Sequence, residues 1–201
     1  MMRLLLAAMM IVWLAGCGDK VPPVAKLATT DVVLAFGDSL TYGTGAKVED
    51  SYPVVLGQLI GRTVVRAGVP GEQTAAGLER LSDVLDEHKP RLVIVCLGGN
   101  DMLRKGTPAN IEANLRKILT EIKSRGLDAM LIGVPTPTLI ASPPEFYSKL
   151  AREFAIPYEG DIITSVLYKS ELKSDPIHPN AAGYRKVAEA VAKLMRDAGA
   201  L

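Results

Sequence analysis

A serine can attack a carbonyl only with a base in hydrogen-bond reach, and this chain of 201 residues offers two histidines. Ser39 stands in Leu34 to Gly43 (LAFGDSLTYG), where an apolar run breaks off into Gly37-Asp38-Ser39-Leu40. Alone, Gly-Asp-Ser is ordinary turn chemistry. His88 lies in Asp86-Glu87-His88-Lys89-Pro90, a charged link leading into an apolar run at its wrong end, and reads as a solvated surface residue. His178 is the remaining base. It sits in Asp175-Pro176-Ile177-His178-Pro179-Asn180, with Asp175 three residues before it and a proline that limits backbone freedom between them. A turn of that length can aim a carboxylate at imidazole Nδ1, fixing the tautomer and leaving Nε2 for the serine. Taken by itself, Asp-x-x-His reads as a turn leading into a helix rather than as a catalytic pair.

Acyl transfer through a serine also needs donors for the oxyanion. Removing one typically costs about 2.7–4 kcal/mol of transition-state stabilisation. Three are available: the backbone N–H of Ser39, that of Gly71 in Ala67 to Thr74 (AGVPGEQT), and the side-chain amide of Asn100 in Gly98-Gly99-Asn100-Asp101. Gly71 also reads as a turn glycine, and Asn100 as a helix N-cap. This chemistry needs no metal and no cofactor, and no zinc spacing of Cys and His occurs.

Residues so far apart in sequence need a scaffold that gathers them. Val32 to Phe36, Thr63 to Ala67, Arg91 to Leu97 and Ala129 to Val134 read as buried strands, and Ile156-Pro157-Tyr158 as the start of a short fifth. Helical periodicity covers Tyr52 to Ile60, with Val55, Leu56, Leu59 and Ile60 inward, and Thr74 to Glu87, with Leu78, Leu81 and Leu85 on one face. Thr107-Pro108 opens a helix that Gly126 ends. Ser142-Pro143-Pro144-Glu145 reads as a capping box opening a helix toward Phe154. Asn180 caps a last helix with Val187, Val191 and Leu194 inward. Near-continuous apolar strands alternating with amphipathic helices predict a three-layer α/β domain on a mostly parallel sheet. Ligands in such folds bind at the carboxyl ends of the strands. Ser39, Gly71 and Asn100 each follow one of the first three strands.

In this order and setting the four blocks resemble the SGNH hydrolase (GDSL esterase/lipase) superfamily: GDSL at Gly37 to Leu40, Gly71, GGND at Gly98 to Asp101, and DPIHP at Asp175 to Pro179. The resemblance implies a flavodoxin-like, mostly parallel five-stranded sheet. It also implies a Ser39-His178-Asp175 triad with oxyanion donors on Ser39, Gly71 and Asn100. Leu97 to Arg104 (LGGNDMLR) and Tyr147 to Phe154 (YSKLAREF) are most similar to the bacterial multifunctional acyl-CoA thioesterase I, lysophospholipase and arylesterase group.

Two features depart from that group. After Met1-Met2-Arg3 comes an apolar run, Leu4 to Leu14, too short to span a bilayer, which needs about 20 apolar residues. It suits a secretory signal. Leu14-Ala15-Gly16-Cys17 resembles a bacterial lipobox, which implies cleavage before Cys17 and lipidation there. The expected organisation is a signal peptide over 1–16, a lipid-anchored tether over 17–30 and the hydrolase domain over 31–201. The protein would be exported and held at a membrane facing the periplasm. The second departure is the proline-rich loop Pro135 to Pro144, where Leu139 and Ile140 could line an acyl groove or pack on the surface.

Composition narrows the partners. Removal of residues 1–16 takes away Arg3 and leaves 22 cationic against 22 anionic side chains. With 5% aromatics and no basic block, nucleic acid is not an expected partner. With Cys17 acylated, Cys96 has no disulfide partner and reads as a small buried hydrophobe. A monomer acting on an acyl ester or thioester is expected. A carbohydrate O-acetyl esterase of the same fold is the alternative, disfavoured by the lone tryptophan, Trp13, falling in the signal segment. A non-catalytic lipoprotein is disfavoured by the complete set of site residues.

Overall fold

The computed structural model describes residues 20–137 and 142–201. Met1 to Gly16, Cys17, Leu139 and Ile140 lie outside them. Strand β1 (Val32–Gly37) leads into the single-turn helix α1 (Ser39–Tyr42), followed by α2 (Tyr52–Ile60), β2 (Thr63–Gly68) and α3 (Thr74–His88). Then come β3 (Leu92–Cys96), α4 (Gly99–Leu103), α5 (Pro108–Ser124), β4 (Asp128–Ile132), α6 (Glu145–Glu153) and β5 (Tyr158–Glu159). The chain closes with α7 (Ile162–Leu167) and α8 (Ala181–Asp197).

The five strands form one parallel sheet in the order β2-β1-β3-β4-β5. Parallel neighbours need crossovers, and right-handed crossovers that reverse direction after β2 place α2 on one face and α3, α5 and α6 on the other. The contacts agree: α2 packs on α8, and α5 packs on both α3 and α6. Both faces are thus covered, which is why β1 and β3 are apolar almost throughout and, Val32 at the start of β1 apart, buried. The three-layer α/β fold expected from the alternating pattern is the one observed.

Register matters most for the site. Gly37 is level with Gly68 on one side and Cys96 on the other, so β1, β2 and β3 end together. The loops that follow them share one edge. Glycine is required at that edge: a Cβ on Gly37 would lie 2.2 Å from the Cys96 carbonyl oxygen. Gly98 has φ +114°, and a Cβ there would lie within 2.4 Å of the Tyr147 hydroxyl. That hydroxyl donates to the Leu97 carbonyl at 2.8 Å, so a side chain from α6 fixes the turn after β3.

Several local expectations are corrected. Residues 20–30, expected as part of a tether, lie against the domain: the Val24 and Leu27 N–H groups donate to the Ala198 and Ala200 carbonyls and Leu27 is buried. The segment has too little periodicity to reveal a contact that is made largely by backbone. Ser142 caps nothing: α6 starts after Pro144, with no side-chain cap. Leu59 turns outward from α2 at 44% exposure, since α2 buries only the stripe facing the sheet and α8. Leu78 is half-buried. Asn100 lies inside α4 and is not its N-cap. Cys96 is fully buried, and burial pushes its thiol pKa well up, as a buried hydrophobe requires.

Candidate active site

Ser39 is the first residue of α1, immediately past the end of β1. Asp38 caps that turn by accepting from the Leu40 N–H at 3.0 Å. The serine hydroxyl is thereby held at the sheet's carboxyl edge on a short rigid piece. The Ser39 Oγ lies 3.0 Å from His178 Nε2, and His178 Nδ1 lies 2.7 Å from Asp175 Oδ2. Asp175 Oδ1 accepts the Ile177 and His178 N–H groups, each at 2.9 Å. The ring and its carboxylate therefore belong to one closed turn, which the Ser174 N–H fastens by donating to the His178 carbonyl at 2.9 Å. Asn180 begins α8 directly after it, its side chain accepting the Gly183 N–H. His88 ends α3, on the connection into β3 at the opposite edge of the sheet from Ser39.

The Asn100 amide comes from α4 and reaches both neighbouring loops. Its Nδ2 donates to Asp38 Oδ2 at 3.2 Å and to the Glu72 carbonyl at 3.0 Å. The turn after β2, which carries Gly71 at φ +79°, is thus tied to the turns after β1 and β3. Glu72 is itself braced: its carboxylate takes both Nε and an Nη of Arg80 at 2.5 and 2.6 Å. Arg80 also donates to the Gly37 and Ala67 carbonyls at the ends of β1 and β2. Asp101 is buried and accepts the Thr74 N–H and hydroxyl at 2.9 and 2.7 Å, pinning α4 to the start of α3. Sequence reasoning found Ser39, Gly71, Asn100, Asp175 and His178, and the structure brings their loops together. It missed the bracing by Glu72, Arg80 and Asp101, which carries no spacing signal.

Asp38 was legible only as a residue shaping the turn. It is 2% exposed, and its pKa is raised to about 7. Burial is the main cause, and the nearby Glu72 and Asp101 carboxylates add to it against the hydrogen bonds from Leu40 and Asn100. The sign of the consequence is set by linkage. The folded state binds a proton that the unfolded chain releases near pH 4, so stability falls as pH rises from about 4 to about 7, by up to about 1.4 kcal/mol per pH unit. Urea melts of Asp38→Asn at pH 5 and pH 7.5 should show a smaller drop between the two pH values than wild type. An unchanged drop would count against a raised Asp38 pKa.

The serine and histidine open onto a cleft of about 670 Å³. Leu40, Leu103, Val134 and Pro135 line one part of it. Leu167, Tyr168, Lys173 and Ile177 line another. Among the described residues no cluster of three metal-ligating side chains occurs.

A hydroxyl, an imidazole and a carboxylate in series at the carboxyl edge of a parallel sheet describe a serine ester hydrolase. The model of the GDSL-like Lipase/Acylhydrolase family matches residues 35–186, and the chain belongs to that family. It is 32% identical to thioesterase 1/protease 1/lysophospholipase L1 of Escherichia coli (strain K12), over 85% of this chain and 86% of that one. It is 31% identical to an arylesterase of Vibrio mimicus, over 84% and 90%. The solved structure of AlinE4, an SGNH-hydrolase family esterase, superposes with a TM-score of 0.66 at 32% identity, covering 86% of this chain and 98% of the other.

Proposed function

We propose that the protein cleaves esters or thioesters of acyl chains through a covalent acyl-enzyme on Ser39. The carrying observation is the Ser39-His178-Asp175 hydrogen-bond series opening into a cleft lined in part by apolar side chains. Ser39 Oγ attacks the carbonyl carbon as His178 Nε2 takes its proton. The ring then returns that proton to the leaving oxygen or sulfur, and water attacks the acyl-enzyme by the same route in reverse. Asp175 holds the Nδ1–H tautomer throughout. The backbone N–H groups of Ser39 and Gly71 are the primary oxyanion donors. Asn100 joins them by turning an N–H away from Asp38 or from the Glu72 carbonyl, both of which it contacts in the resting site.

Acyl chains longer than acetyl suit the cleft, because Leu40, Leu103 and Val134 offer a methylene chain apolar surface, at about 0.8 kcal/mol per buried CH₂. A chain-length series from acetyl to decanoyl, run as matched nitrophenyl esters and thioesters, tests this reading. The kcat/KM should rise beyond acetyl in both series. Strict preference for acetyl would replace it with an O-acetyl esterase.

A further inference from the structure

The two walls of the cleft differ in charge. The wall built from α7 and the turn before α8 carries Lys173. Its Nζ donates to the Leu167 carbonyl at 3.0 Å, and among the described residues no carboxylate lies within 4.0 Å of it. One carbonyl occupies one ammonium hydrogen, so two remain for a further acceptor. Asp175 is the acid on the same turn, and its oxygens are taken by the His178 ring and two backbone N–H groups.

The position of Lys173 is tied to that of His178. Lys173 pairs with Pro179 in an antiparallel bridge, at the base of the turn that carries the imidazole. In acyl transfer the imidazole returns its proton to the leaving atom, so the leaving group departs on the imidazole's side. That is the wall of Lys173. The oxyanion donors come from the loops after β1, β2 and β3 instead.

We infer that Lys173 reads charge on the leaving group, favouring esters whose alcohol or phenol part bears a sulfonate, phosphate or carboxylate over neutral or cationic esters of the same acyl chain. The inference rests on the ester-hydrolase reading above. Its reach is set by exposure, since a partly solvated pair is screened by salt.

Three aryl butyrates test it, with 4-hydroxybenzenesulfonate, 4-hydroxyacetophenone and 4-(trimethylammonio)phenol as leaving groups. Comparing variant with wild type on each ester cancels intrinsic leaving-group reactivity. In Lys173→Met the ratio of kcat/KM for the sulfonate ester to that for the neutral ester should fall about fivefold at low salt. The corresponding ratio for the cationic ester should rise. Lys173→Arg should restore the sulfonate ratio, and 0.5 M NaCl should shrink the wild-type preference. Ratios equal within twofold in wild type and Lys173→Met would overturn the inference, and so would a loss shared equally by all three esters. Failure of the wild type to hydrolyse any of the three would overturn the ester-hydrolase reading itself, and this inference with it.

Discussion

Replacing Ser39 with alanine is expected to lower kcat/KM for a short nitrophenyl ester by about 10⁴- to 10⁶-fold. The magnitude follows from what the hydroxyl does. Its Oγ lies 3.0 Å from His178 Nε2. With it gone, no acyl-enzyme can form and hydrolysis falls to direct attack by water. The remaining rate comes from substrate binding and from oxyanion donors that alanine keeps, because the residue 39 N–H is backbone. The fold should survive. The cap that starts α1 is Asp38 accepting the Leu40 N–H, and it does not involve the serine hydroxyl. Melting curves of the variant should therefore overlay those of the wild type. A fluorophosphonate probe should label the wild type and leave Ser39→Ala unlabelled. Activity persisting at wild-type level would sink the assignment of Ser39.

The fold was legible because its strands are buried on both faces and its helices on one. Val32 to Phe36 and Leu92 to Leu97 are apolar without alternation, and α5 and α8 carry their inward stripes at helical spacing. These patterns follow from burial, which acts on every residue of an element. The site was legible for a different reason. Serine, glycine, asparagine and an Asp-x-x-His turn recur at strand ends and helix starts, so sequence order already placed them on one edge. What stayed hidden depends on single contacts. Arg80 reaches Glu72 eight residues away and two strand-end carbonyls, and nothing in the spacing marks it. The short helices α1, α4 and α7 were also unreadable, because four to six residues carry too little period. Yet α1 and α4 hold Ser39 and Asn100, and α7 forms one wall of the cleft. The pieces closest to the chemistry are therefore the ones local sequence describes least.

Asp175 gives the second large effect. In Asp175→Asn, kcat should fall about 10³-fold, with KM nearly unchanged because Asp175 does not line the cleft. An asparagine oxygen can still accept the Ile177 and His178 N–H groups, so the turn keeps its shape. The amide nitrogen then faces Nδ1 at the position of Oδ2. A donor there requires Nδ1 to accept, which moves the ring proton to Nε2. Nε2–H points at the serine oxygen and cannot take its proton. The loss is mainly one of tautomer, since the Asp175 side chain is 43% exposed and water screens its charge on the imidazolium. Protonation of the wild-type carboxyl does not mimic the variant near neutral pH. Partial burial pushes the Asp175 pKa upward, but the Ile177 N–H and the His178 ring outweigh it and hold the group below its ordinary value. A depressed pKa leaves the carboxylate ionised at neutral pH, and its contribution is lost only as pH falls below the usual carboxylate range. The pH–rate profile between about 5 and 8 should therefore carry no limb from Asp175. The three groups act in series, so adding Asp175→Asn to Ser39→Ala should cost almost nothing further. A double variant that loses the product of the two single effects would show that Asp175 acts on something other than the serine's base.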